Sequence, residues 1–283
     1  MNTPLILFVG MPESGKTMAV YSLAEHLTIL KEHYDISPDF SFLPHDTAYA
    51  DKCTKFQAVY DKNKPMMGKN GPRYAFPKTM GDVYLKINVK QAGKTLYDIL
   101  EVPGEKFFDP NNIAAGISPD ILNLINPNAF GRGKIVFILL LDLYTRQWDN
   151  DKTRMNDPIF QHYVNRLIDI MKNFKDGDKV ITLLNQFDKS LNPTNDWEKW
   201  EGAYSGLFEA LSVGRKYIIF DKIKVKKLPY SCGRDFNQKI DPKTNTVEKD
   251  KFGDEIVTFK SDKKTMDYAR NLWTEITRRF TWI

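Results

Sequence analysis

Gly10-Met11-Pro12-Glu13-Ser14-Gly15-Lys16-Thr17 joins a short apolar run, Leu5 to Val9, to a stretch carrying Val20, Leu23, Leu27 and Leu30 at helical spacing. The pattern is G-x-x-x-x-G-K-S/T, set between a buried strand and an amphipathic helix running from Lys16 to about Glu32. Each part has a physical task. The glycines let the backbone curl until its N–H groups converge on phosphate oxygens, and the helix start adds positive dipole. Lys16 reaches the terminal phosphates, and the Thr17 hydroxyl suits a Mg²⁺ ion. Gly10, Glu13, Ser14, Gly15, Lys16 and Thr17 are therefore the candidate polyphosphate cradle.

Working outward, apolar runs alternate with amphipathic stretches, which predicts a parallel sheet flanked by helices. Ile135 to Asp142 and Lys179 to Leu184 read as fully buried strands, and a strand lies within Tyr217 to Leu228. A helix starts near Asp157-Pro158 and carries Phe160, Val164, Leu167, Met171 and Phe174 on one face. Trp197 to Leu211 and Met266 to Phe280 carry further helical stripes, read as core. Asp82 to Lys90 alternates apolar and polar residues, Gly93 turns the chain, and Thr95 to Val102 returns, a hairpin at an antiparallel sheet edge. The expected fold is a three-layer α/β domain with a mostly parallel twisted sheet. It forms one domain over residues 1–283, with insertions at about 35–77 and 236–259. The first insertion, rich in Pro, Gly, Asp and Lys, is longer than an ordinary connection and reads as functional or mobile.

The 283 residues are 42% apolar and 27% charged with a net charge of +5, too mild a surplus to indicate nucleic acid or a membrane. Cys53 and Cys232 have neither a disulfide framework nor zinc-ligand spacing around them. No leader or membrane-spanning run is visible, so the expected location is the cytoplasm. His26, His33, His45 and His162 do not cluster. Lys222, Lys224 and Lys226 line one face of a strand, as a basic edge strand does to resist aggregation.

Two further signals lie at strand ends. Asn185-Gln186-Phe187-Asp188 follows the strand Lys179 to Leu184. A carboxylate there accepts from the two adjacent donors of guanine, a pair that adenine lacks. Strand carboxyl ends are also where ligands bind on such sheets. Glu101-Val102-Pro103-Gly104 ends the hairpin's second strand, where Glu101 can hold a Mg²⁺-bound water and the Gly104 N–H can approach a γ-phosphate.

The order of these motifs resembles the Ras-like GTPases of the TRAFAC class, over the strand–helix framework from about Leu5 to Ile283. Gly10 to Thr17, Glu101 to Gly104 and Asn185 to Asp188 are similar to that family's phosphate, D-x-x-G and N-K-x-D motifs. Ser231-Cys232-Gly233 is similar to its S-A-K motif, whose backbone touches the guanine oxygen. Thr79 stands where the family places the switch threonine that binds Mg²⁺ and the γ-phosphate. The resemblance implies GTP and GDP as ligands, Mg²⁺ as cofactor and a conformational switch. Lys16, Thr79 and Glu105 would be its catalytic groups, with a protein effector or activator near residues 35–80. Three departures stand out: Glu101 for Asp, Gln186 for Lys, and Glu105 for the water-orienting glutamine. A carboxylate at 105 cannot donate to the transition state, which predicts slow hydrolysis. Arg73 reads as a solvated loop arginine rather than a charge supplied in cis to the reaction. The competing readings are a nucleotide-holding scaffold without turnover and a P-loop ATPase or phosphotransferase.

Overall fold

The structure is a computed structural model that describes residues 3–10, 14–30, 32, 34–76, 83–108, 116–129, 132–142, 158–171, 173–175, 177–185, 202, 204–206, 209, 225–231 and 234–278. The chain is a mixed α/β protein with a mostly parallel central sheet, as its alternating pattern predicts. It divides into two compact units, Met1–Lys16 with Val102–Pro229 and Thr17–Glu101 with Tyr230–Ile283.

The first unit holds the parallel strands. β1 (Leu5–Gly10) pairs with β6 (Ile135–Asp142), β6 with β7 (Lys179–Asn185), and β7 with β8 (Val225–Pro229). Strands covered on both faces read as continuous apolar runs. Accordingly Ile6 to Val9, Phe137 to Leu141 and Leu183 to Leu184 are fully buried. α5 (Pro158–Met171) begins at the proline that the sequence marks. From it the Tyr163 hydroxyl donates to the Leu140 carbonyl at 3.1 Å. The Tyr163 ring meets Phe107 and Phe108 edge-on, close to the short α3 (Gly104–Phe107). α4 (Pro119–Ile125) turns Ile121 and Ile125 inward. β8 lies at the edge of the described sheet; Lys222 and Lys224, of the predicted lysine face, lie outside the described residues.

Most of α1 (Lys16–Ile29) belongs to the second unit, with Ala19, Val20, Tyr21, Leu23, Ala24 and Leu27 fully buried. The predicted hairpin is present: β4 (Leu85–Gln91) pairs antiparallel with β5 (Lys94–Glu101), and the turn residue Gly93 has φ +75°. The span from 35 to 77 is not an irregular excursion. β2 (Asp35–Pro38) adds antiparallel to β4, and α2 (Thr47–Asn63) follows, its first turn capped by the Asp46 carboxylate on the Tyr49 N–H. β3 (Gly71–Tyr74) joins a separate antiparallel sheet in the order β3-β10-β9, with β9 at Arg234–Gln238 and β10 at Val257–Ser261. α6 (Lys263–Thr277) starts in a capping box between Asp262 and Thr265 and buries Ala269, Leu272, Trp273 and Ile276.

Arg73 corrects the sequence reading. It is 1% exposed on β3, not solvated, and its guanidinium donates twice to Glu25 Oε1, at 3.1 and 2.9 Å, and once to the Lys69 carbonyl. An arginine satisfied in this way is a structural tie between β3 and α1, not a mobile charge. Its neighbour Tyr21 has its phenol pKa raised, first by burial and then by Glu25.

Candidate functional site

The end of β1 and the start of α1 build the cradle. Gly15 has φ +81°, a conformation that costs an L side chain about 1–2 kcal/mol. Gly10 is constrained differently. A Cβ there would meet Ser14 Oγ at 2.8 Å and the Leu140 Cβ and carbonyl oxygen at 3.1 Å, so only glycine lets the loop pass this close to β6. Ser14 and Lys16 are both buried. The Lys16 ammonium folds back over its own loop, donating to the Gly10 carbonyl at 3.1 Å and reaching Ser14 Oγ at 3.5 Å.

In the second unit, the hydroxyl after that lysine meets the carboxylate at the end of β5. Thr17 Oγ1 donates to Glu101 Oε1 at 2.7 Å. Two residues of this unit 84 positions apart are therefore in direct contact. Glu101 is buried, and its second oxygen, Oε2, is shielded from solvent with no hydrogen-bond partner among the described residues. An orphaned buried carboxylate oxygen beside a hydroxyl fits a hydrated Mg²⁺: the hydroxyl offers a lone pair to the ion, and the carboxylate oxygen accepts from ion-bound water. Thr17 and Glu101 are the residues that would hold it. Among the described residues no group of three or more His, Cys, Asp or Glu gathers as a metal cage.

Lys52 is the residue that the sequence reading missed. It projects from α2, is 3% exposed, and lies 3.3 Å from Glu101 Oε1 while donating to the Val83 carbonyl at 2.7 Å. The available signal was the spacing of Tyr49, Cys53, Phe56 and Tyr60, a helical stripe next to which Lys52 is carried inward.

The remaining candidates fall as follows. Gly104 is buried at the start of α3, and Glu105, next on that turn, is exposed. Asn185 ends β7 in register with Asp142 of β6, at the strand end where the base motif is expected. Ser231 is buried, and the preceding Tyr230 donates its hydroxyl to the Ala19 carbonyl at 3.2 Å, which ties this segment to α1 two residues beyond Thr17. Glu13, Thr79, Gln186, Asp188 and Cys232, along with the Asn185 side chain, lie outside the described residues.

No family model and no curated protein sequence matches the chain. Among solved structures it is similar to the signal recognition particle receptor SRb-GTP/SRX complex from Chaetomium thermophilum, at 13% identity over 83% of this chain and 93% of that one, with a TM-score of 0.41. The SRb-GDP-Mg structure from the same organism matches at 15% identity over the same shares, with a TM-score of 0.35. The sup35 structure complexed with GDP matches at 12% identity over 86% of this chain and 41% of that one, with a TM-score of 0.32. Likeness this distant has no bearing on the site, which stands on its own geometry.

Proposed function

We propose that this chain binds a guanine nucleotide with Mg²⁺ through Gly10 to Thr17 and hydrolyses GTP slowly to GDP as a conformational switch. The observation that carries this reading is the Thr17–Glu101 pair: a hydroxyl directly after the loop lysine, bonded to a strand-end carboxylate whose other oxygen is buried and unpartnered. An unmet buried acceptor costs about 1–3 kcal/mol, and a water bound to the ion would satisfy this one. Mg²⁺, when bound, neutralises charge on the phosphates.

In this reading Lys16 leaves the Gly10 carbonyl for the phosphates, and backbone N–H groups of residues 13–17 receive the phosphate oxygens. Gly104 approaches the γ-phosphate and Thr79 closes over it. Asn185, Gln186 and Asp188 select guanine, assisted by the backbone of Ser231 and Cys232. Glu105, exposed on α3, takes the place of a water-orienting group but can only accept a hydrogen bond, so turnover is slow. Residues 35–80 carry the surface for an effector or activator, and the setting is the cytoplasm.

One observation favours a second reading, a nucleotide-bound scaffold without turnover: the Lys52 ammonium already sits on Glu101. The two are separated by experiment. Equilibrium binding of labelled GTP and ATP should favour GTP, and single-turnover phosphate release should be slow but above background. Preference for ATP would overturn the guanine assignment, and release at background with candidate partners present would leave the scaffold.

A further inference from the structure

Among the described residues Glu101 receives two cationic or protic partners on one oxygen, Thr17 Oγ1 at 2.7 Å and Lys52 Nζ at 3.3 Å, and none on the other. Lys52 and Glu101 are both almost fully buried, so their mutual charge is little screened by water or salt. A buried ammonium also needs acceptors, and Lys52 finds its second one at the Val83 carbonyl, four residues along the chain from Thr79. Lys52 thus links three elements: α2, the approach to β4, and the carboxylate at the end of β5. A divalent cation arriving beside Thr17 meets this ammonium across a single carboxylate. Two cations this close in a buried site repel strongly, so ammonium and divalent cation would compete for the one carboxylate.

We propose that Lys52 is an internal counter-ion for Glu101 which a divalent cation displaces, so that metal–nucleotide occupancy is transmitted as a movement of α2. The inference rests on the nucleotide reading above and gives it a regulatory element. With no metal, Lys52 neutralises Glu101 and holds α2 and Val83 in place. With metal, the ammonium loses its carboxylate, becomes a buried charge with one acceptor fewer, and must move toward solvent or phosphate. α2 is capped at Asp46 and buries Tyr49, Cys53, Phe56 and Tyr60 beside Lys52, so loosening of the Lys52 anchor is proposed to reach the helix that carries it.

The test uses the full chain loaded with GDP and Mn²⁺ as the metal probe, titrated by electron paramagnetic resonance. Lys52→Met keeps the apolar stem, removes the charge, and should tighten Mn²⁺ binding by about 10-fold or more, by analogy with the tenfold or larger effect of an adjacent charge on proton binding at a carboxylate. Lys52→Arg should stay near wild type. In the wild-type chain, hydrogen exchange across residues 47–63 should rise when Mg²⁺ is added to the GDP-loaded, metal-free protein. Unchanged or weaker Mn²⁺ binding in Lys52→Met, or unaltered exchange in residues 47–63, overturns the proposal. Should Lys52→Met fail to fold, the wild-type exchange measurement decides alone. Retention of GDP with an unaltered metal response defeats only this inference, whereas failure of the wild-type chain to bind GDP defeats the guanine-nucleotide reading and this inference together.

Discussion

Asp178 and Glu101 are both buried carboxylates at strand ends, one in each unit, and they are treated very differently. Asp178 precedes β7 and has every lone-pair direction engaged. Arg132 donates to both its oxygens at 3.2 and 2.7 Å, the Ile135 N–H to Oδ1 at 2.9 Å, and the Lys175 N–H to Oδ2 at 3.0 Å. Glu101 ends β5 with two partners crowded on one oxygen and the other bare. A saturated carboxylate holds the starts of two strands and the turn before them in register and has nothing left to offer. A half-saturated one retains chemistry. The difference is the reason for proposing a functional role for Glu101 and a structural one for Asp178, although the two residues look equally conspicuous among the buried charges.

The contrast can be broken by mutation, and the largest effect belongs to the structural member. Asp178→Ala should cost about 3–5 kcal/mol in urea unfolding, because it strands the buried Arg132 guanidinium and two backbone N–H groups. Nucleotide affinity of the folded fraction should be unchanged; a loss of affinity with stability intact would reverse the assignment. Lys16→Ala should act the other way, lowering guanine-nucleotide affinity by roughly 10–100-fold, the scale of one or two charge-assisted bonds, with little change in the urea midpoint.

His26 supplies a third case, a buried group whose Nε2 has no hydrogen-bond partner among the described residues. Burial, reinforced by Arg270, pushes its pKa down to about 4 from 6.5. The folded state therefore binds the proton less well than the unfolded chain. This contribution is complete above about pH 6.5 and is lost as pH falls toward about 4. His26→Leu should flatten that limb of the stability–pH curve by roughly 1–3 kcal/mol; an unchanged limb would show that other groups govern it. The smallest effect is expected for Glu101→Gln, in which Lys52 keeps the Val83 carbonyl. The gain in GDP retention produced by Mg²⁺ should shrink by about tenfold, or ~1.4 kcal/mol, while nucleotide release without metal changes little. A Mg²⁺ response equal to wild type would remove Glu101 from the metal site.

Much of the fold was legible because its signals are local. The continuous apolar runs of β1, β6 and β7, Pro158 at the head of α5, and the β4–β5 alternation around Gly93 each announce themselves within ten residues. The loop from Gly10 to Thr17 was readable because glycine is the only residue that satisfies Gly15's positive φ and Gly10's close approach to Leu140. What escaped was long-range. α2 buries aromatic rings and Cys53 in place of the usual leucines, so its stripe was concealed in a polar span. The pairing of Arg73 with Glu25 and of Lys52 with Glu101 joins residues 48 and 49 positions apart, and no spacing rule reveals which carboxylate a buried cation will find.

The most direct measurement of the central claim is to purify the chain without added nucleotide, denature it, and identify by chromatography whatever is released. The account predicts GDP or GTP in amounts comparable to the protein, depleted in the Lys16→Ala variant. Release of an adenine nucleotide, or equal guanine content in wild type and Lys16→Ala, would contradict it.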